Sequence, residues 1–220
     1  MRLLVINPVG TEEWNESDKR IYEMFASEGT HIEVVSLERG PRSIENRAAE
    51  TEVLPLIVRK AVELHEEYDG IIVNCCLDPA VDVIRSLIPT PTVGPCQASL
   101  AIASVLGRKT GIVTVSKTAI PLFEELILKY RMEKRVTSIR GIDISVPEIS
   151  IDENRTIRLL REEIALAISD GVDVIVLGCT GLAGFAEKVQ PFFDVPIIDP
   201  VASAVKIVED IVELGGMRGE

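Results

Sequence analysis

Two stretches of this chain repeat one another in order and in spacing. Tyr68-Asp69-Gly70-Ile71-Ile72-Val73-Asn74-Cys75 lines up with Val172-Asp173-Val174-Ile175-Val176-Leu177-Gly178-Cys179 at an offset of 104 residues, and both end in cysteine. Downstream, Pro91-Thr92-Val93-Gly94-Pro95 matches Pro196-Ile197-Ile198-Asp199-Pro200 at an offset of 105, and a helix of small residues follows each. Upstream, Leu3-Leu4-Val5-Ile6-Asn7 has a looser counterpart in Gly111-Ile112-Val113-Thr114-Val115. Any two βαβ units rich in Val and Ile look somewhat alike, but two prolines and a cysteine at a nearly constant offset exceed what composition supplies. The repeat predicts an α/β fold of two pseudo-symmetric lobes, each a mostly parallel four-stranded sheet flanked by helices, with an active-site cleft between them. The expected division is 1–95 plus 201–220 for the first lobe and 96–200 for the second.

Short apolar runs alternate with longer amphipathic ones, the pattern of βαβ units. Strands are predicted near 3–7, 32–36, 70–74, 92–93, 111–115, 136–142, 174–177 and 197–198. Helices are predicted over 16–28, 51–68, 78–86, 98–106, 121–130, 153–170, 182–189 and 202–214, several opened by a capping residue or early proline and closed by glycine. The apolar fraction, 46% of 220 residues with only 4% aromatic, is mostly Val, Ile, Leu and Ala, as buried parallel strands require. A chain of this size buries roughly 70% of its surface on folding and needs no disulfide or metal staple.

The net charge is −12, with a sequence pI near 4.8, which opposes the long-range attraction of a phosphate backbone and excludes nucleic acid as a natural partner. No run reaches the roughly 18 apolar residues of a membrane span, and the apolar part of Met1-Arg2-Leu3-Leu4-Val5-Ile6 is too short for a signal peptide, so a cytoplasmic location with no membrane partner is expected. Leu and Val recurring on the helices leave room for a homo-oligomer without naming its surface. Four cysteines are far below disulfide-scaffold density, and Cys75, Cys76, Cys96 and Cys179 lack the paired spacing of a zinc site. With only His31 and His65, neither near a nucleophile motif, a Ser-His-Asp or Cys-His mechanism lacks material.

Ligands of open α/β sheets bind beyond the carboxyl ends of the strands, where backbone N–H groups and helix N-termini converge. Cys75 and Cys179 each end a strand there. A thiolate at a helix N-terminus is stabilised by the positive end of the macrodipole, and cysteine pKa values fall from about 8.5 to roughly 3.5–7.5 in such places. One base and one acid on opposite faces of a planar intermediate invert a carbon centre: thiolate removes the α-proton and the opposite thiol returns one to the other face. No cofactor fingerprint is present, no metal set is offered, and hydroxyls and backbone N–H groups suffice to hold a developing oxyanion of a small-molecule substrate. Thr114, Ser116, Thr180, Gly181 and Asn7 lie where they could donate such bonds.

These residues resemble the hydantoin racemases of the aspartate/glutamate racemase superfamily. The resemblance runs along nearly the whole chain: Ile6-Asn7-Pro8, Gly40-Pro41-Arg42-Ser43-Ile44-Glu45, Cys75-Cys76-Leu77-Asp78-Pro79, 110–116, Leu177-Gly178-Cys179-Thr180-Gly181, Val195-Pro196-Ile197-Ile198-Asp199 and Ala204-Val205-Lys206. It implies that Cys75 and Cys179 are the racemisation bases, the Cys-x-x-Asp-Pro pattern selecting Cys75 over Cys76. The chain departs from the family's usual Asn-Pro-Asn-Thr at Val9-Gly10, and Gln97 stands where an acidic residue is usual. Both departures fall near the expected pocket. The resemblance therefore specifies reaction type more than substrate, which stays open among a neutral cyclic ureide such as a 5-substituted hydantoin or allantoin, a related acid, and amino acids such as aspartate or glutamate. A catalytically silent binding protein of the same fold is the other reading.

Cys76, Gln97 and Arg42 complete the candidate pocket residues, Arg42 as the cation for a polar substrate group on a cleft-edge loop. Cys76, facing opposite to its neighbour on an extended chain, and Cys96 read equally as core thiols. Trp14 fits either a cover over the substrate or a loop anchor. His31, His65 and the pairs Glu66-Glu67, Glu124-Glu125 and Glu162-Glu163 read as solvated or structural.

Overall fold

The computed structural model describes residues 1–215 and falls into two compact units, residues 1–98 with the segment from Val201, and residues 99–200. The division lies inside a helix, three residues beyond the boundary expected at 95. Residues 216–220, assigned above to the first lobe, lie outside the described residues.

The first unit carries β1 (Arg2–Asn7), α1 (Asn15–Phe25), β2 (His31–Ser36), α2 (Arg47–Leu64), β3 (Gly70–Val73), α3 (Val81–Leu87), β4 (Thr92–Val93) and the start of α4 (Pro95–Leu106). The second carries β5 (Thr110–Thr114), α5 (Ile120–Lys129), β6 (Val136–Gly141), α6 (Glu153–Ser169), β7 (Val174–Leu177), α7 (Phe185–Val189) and β8 (Ile197–Ile198), and α8 (Pro200–Glu213) leads back into the first. Each has one four-stranded, wholly parallel sheet, in the orders β2-β1-β3-β4 and β6-β5-β7-β8. Every residue of β3, β5 and β7 is buried, because helices cover both faces of a parallel sheet. Leu4, Ile6, Ile57, Ile71, Val73 and Ile84 form the core of the first unit, and Val113, Leu160, Ile164, Ile175, Leu177 and Leu182 that of the second.

Strand register establishes the repeat residue by residue. Ile71 pairs with Thr92 in one sheet and Ile175 with Ile197 in the other, at the offsets of 104 and 105. The first strands need one correction. Leu3 pairs with Gly70 and Thr110 with Val174, so residue 3 corresponds to 110 and the offset is 107, not the 108 that sets Leu3 against Gly111. A slip of one residue reverses which face each side chain takes, so the true counterpart of Asn7 is Thr114.

Helix ends differ from expectation where caps come from outside the local run. Asn46 accepts from the Ala49 amide and starts α2 at Arg47 rather than 51. α3 starts at Val81 because Asp78 and Ala80 hold positive φ angles of 48° and 63°. The predicted helix over 182–189 is a single 3-10 turn, Thr180–Leu182, followed by the short α7, with Gly184 at φ 80° between them. Among the described residues, no helix is long and apolar enough to cross a membrane.

Candidate active site

In the first unit β3 ends at Val73, and the chain turns at once: the Cys75 amide donates to the Val73 carbonyl (2.8 Å) and the Cys75 carbonyl accepts from the Asp78 amide (2.9 Å). Cys75 is half-buried at this turn, whereas Cys76 is buried. The Asp78 carboxylate accepts from the amides of Cys96 (3.0 Å) and Gln97 (2.8 Å), the first turn of α4. That placement requires Gly94, since a Cβ there would lie 2.3 Å from the Asp78 carboxyl carbon. Gln97 is held by Arg85, whose guanidinium donates to its side-chain oxygen (2.7 Å) and to the Thr92 carbonyl. Cys96 is buried to 1% exposure, and burial, with the neighbouring Asp78 and Cys75, pushes its thiol well above the ordinary value, so it stays neutral.

Beneath Cys75 lies a polar cluster that the sequence did not announce. Asn7, 2% exposed at the end of β1, donates through its amide nitrogen to Asn15 Oδ1 and Asp18 Oδ2, both at 2.9 Å. Asn74 donates to Asn7 Oδ1 (2.6 Å) and to Asp18 Oδ2 (3.2 Å), while the buried Tyr22 hydroxyl donates to Asn74 Oδ1 (2.9 Å). Burial raises Asp18 to about 6, against the lowering effect of the Asn7 hydrogen bond. The available signal was the spacing of Asn15, Asp18 and Tyr22, three and four residues apart, which sets them on one face of α1.

The second unit builds the equivalent point differently. Where Asn74 pairs with Asn7, Gly178 meets Thr114, whose hydroxyl donates to the Gly178 carbonyl (2.9 Å) and is only 2% exposed. Only glycine fits at 178, because a Cβ would come within 2.7 Å of Ile112. Half-buried Cys179 then precedes the 3-10 turn, its carbonyl accepting from Leu182 N (2.9 Å). Gly181 is exposed beside it, and a side chain there would press to 2.9 Å on Ile149 and stand 3.5 Å from Cys179 Sγ. The carboxylate of this unit sits on the opposite side of the strand pair: Asp199, the counterpart of Gly94, accepts from the Gly184 amide at 2.6 Å. The Ser116 hydroxyl caps the next turn, accepting from Thr118 N (3.2 Å).

Of the predicted pocket residues, Cys75, Cys76 and Gln97 gather at the strand ends of the first unit with Asn7, and Cys179, Thr180 and Gly181 at those of the second with Thr114. The donors of Asn7 and Thr114 are committed within their own units. Arg42 lies on an exposed loop and pairs with Glu13 at 2.6 Å; the Gly10 amide, donating to the Pro41 carbonyl (3.0 Å), ties the same two loops. Half-buried Trp14 opens α1. His65 shares hydrogen bonds with Thr90 just before the N-terminal ends of β3 and β4, and His31 begins β2 at the surface. Among the described residues, no group of three His, Cys, Asp or Glu side chains could hold a metal ion.

This pattern has relatives over nearly its whole length. The sequence profile described as Asp/Glu/Hydantoin racemase matches residues 3–208. A hydantoin racemase of Pseudomonas sp. (strain NS671) is 33% identical over 217 residues, covering 98% of this chain and 87% of the relative. Allantoin racemase from Klebsiella pneumoniae superposes with a TM-score of 0.91 at 28% identity, covering 98% of this chain and 89% of that one. The enzyme of the same name from Pseudomonas fluorescens gives 0.93 at 27%, covering 98% and 92%. Two equivalent parallel α/β units, each with a cysteine two residues past its third strand, together with these relatives define an isomerase, a racemase. The chain belongs to the Asp/Glu/hydantoin racemase family.

Proposed function

We propose that the chain racemises 5-substituted hydantoins by 1,1-proton transfer between Cys75 and Cys179. The observation that carries this reading is the register match: each cysteine follows by two residues the end of the equivalent buried strand, β3 or β7, in two units of identical strand order. The thiolate of one cysteine takes the proton from C5 of the ring, and the electron pair left behind delocalises onto the adjacent carbonyl oxygen as an enolate. The thiol of the other donates its proton to the opposite face, so the two sulfurs exchange protonation states and the centre inverts. The Thr180 hydroxyl and the backbone amide of Gly181 are the donors assigned to the developing oxyanion. All groups in the scheme belong to the chain. Allantoin is the same ring bearing a ureido substituent at C5, and the two solved allantoin racemases favour including it as a second substrate.

The test is incubation in heavy water with single enantiomers of 5-substituted hydantoins and of allantoin, with aspartate and glutamate in parallel, following optical rotation and deuterium at the α-carbon. Turnover of a ring substrate with deuterium uptake is expected, and Cys75→Ser and Cys179→Ser are each expected to lower it at least ~100-fold. Turnover confined to the amino acids overturns the substrate class. Turnover that survives both substitutions overturns the two-thiol mechanism, and no turnover at all points to a silent binding protein.

A further inference from the structure

Each end of the Cys75 turn is held by a carboxylate that does not itself belong to the turn's backbone bonding. On the downstream side this is Asp78, spent on the first amides of α4. On the upstream side, Asp18 Oδ2 receives the amide nitrogens of Asn7 and Asn74 together, at 2.9 and 3.2 Å. Asn74 is the residue peptide-bonded to Cys75, its own amide donates to the Ile6 carbonyl (2.9 Å), and its side-chain oxygen is taken by Tyr22. Asp18 Oδ2 is thus an acceptor shared by the last residue of β1 and the residue before Cys75. Helix α1 reaches the end of β3 through it and through Tyr22.

We propose that Asp18 is a positioning residue for the Cys75 thiol, acting through Asn7 and Asn74. The inference rests on Cys75 being one of the two bases. Proton transfer at carbon falls steeply when the base is displaced by a fraction of an ångström, whereas substrate affinity, spread over many contacts, does not. With the acceptor removed, the buried amide donor of Asn7 and the half-buried one of Asn74 each lose a partner, and the Asn74–Cys75 segment takes up whatever conformation satisfies them. Nothing in this role asks for a charge, only for an oxygen at the position of Oδ2.

The test compares Asp18→Ala, Asp18→Asn and Tyr22→Phe in the full chain, with kcat and KM measured on a ring substrate in heavy water and folding checked by circular dichroism. Asp18→Ala is expected to lower kcat roughly 10- to 100-fold with KM changed less than about twofold. Asp18→Asn keeps an acceptor oxygen and is expected to stay within about threefold of the unaltered enzyme. If Asp18→Ala does not fold, Tyr22→Phe, which deletes one bond to Asn74 and keeps the buried ring, reads the same coupling as a smaller loss in kcat. A folded Asp18→Ala enzyme of undiminished kcat, or equal losses in kcat for the Ala and Asn variants, overturns the proposal. Cys75→Ser run alongside separates the two failures: turnover surviving it removes Cys75 as base and the positioning role with it, whereas turnover lost there beside an undiminished Asp18→Ala enzyme overturns the positioning role alone.

Discussion

Asp18 also has a thermodynamic signature. Burial lifts it from its ordinary 3.8 to about 6, so the folded protein favours the neutral acid more than the unfolded chain does. The stability tied to this group is therefore complete below about pH 4 and declines as pH climbs through 6, by an amount on the order of 3 kcal/mol. Asp18→Asn has no proton to lose. Urea unfolding at pH 4, 5, 6 and 7 is expected to show the variant gaining on the unaltered protein at each step, and parallel curves would refute the assignment. The opposite sign holds at Glu209. Burial alone would raise it, but hydrogen bonds from Ser27, Lys206 and Thr30 prevail and hold its carboxyl below the ordinary range. Its contribution, which fastens α8 to the turn before β2, is lost as pH falls. Neither group is visible as special in the sequence, because a carboxylate on an amphipathic helix reads as solvent-facing until its neighbours are known.

At the scale of the element, the two units solve one problem with mirrored parts. A strand end followed by a turn leaves backbone amides exposed, and a carboxylate must sit close by. In the first unit the carboxylate comes from the turn, as Asp78, and glycine stands opposite at 94; in the second it comes from the strand end, as Asp199, accepting from Gly184 N. The Asp78 oxygens are committed to two amides and cannot swing aside for a methyl group. Gly94→Ala is therefore expected to destabilise by about 2–3 kcal/mol. The same substitution in an Asp78→Ala background is expected to cost far less, and an additive double-mutant cycle in urea unfolding would contradict the contact. The start of α4 at Pro95 rather than 98 follows from this carboxylate, which lies 17 residues before the helix. A reading of local capping residues has no access to it.

Across the whole molecule, the proposed mechanism gives the two thiols one shared task. Groups that act as a unit are not additive: once one base is gone, the other has no proton relay to complete. The double variant Cys75→Ser/Cys179→Ser is accordingly expected to racemise no more slowly than the worse single variant. A double loss equal to the product of the single losses would mean that the cysteines act independently.

The order of strands and helices, the two-unit architecture and the equivalence of Cys75 and Cys179 were all legible in the residues. They depend on apolar periodicity and on a repeat, and both are carried by neighbours along the chain. The family was legible for the same reason, since its motifs are contiguous. What only the tertiary structure decided depends on residues that meet across sequence distance. It moved the counterpart of Asn7 to Thr114, because register is set by pairing between strands and not by likeness of sequence. It showed Asn7 and Thr114 spending their donors on Asp18, Asn15 and Gly178, and Arg42 paired with Glu13. It also brought Asp18 to the base of the Cys75 turn, 57 positions away along the chain. Hydrogen-bond partners separated this far are chosen by how the helices settle on the sheet, and a one-dimensional pattern holds no record of that choice.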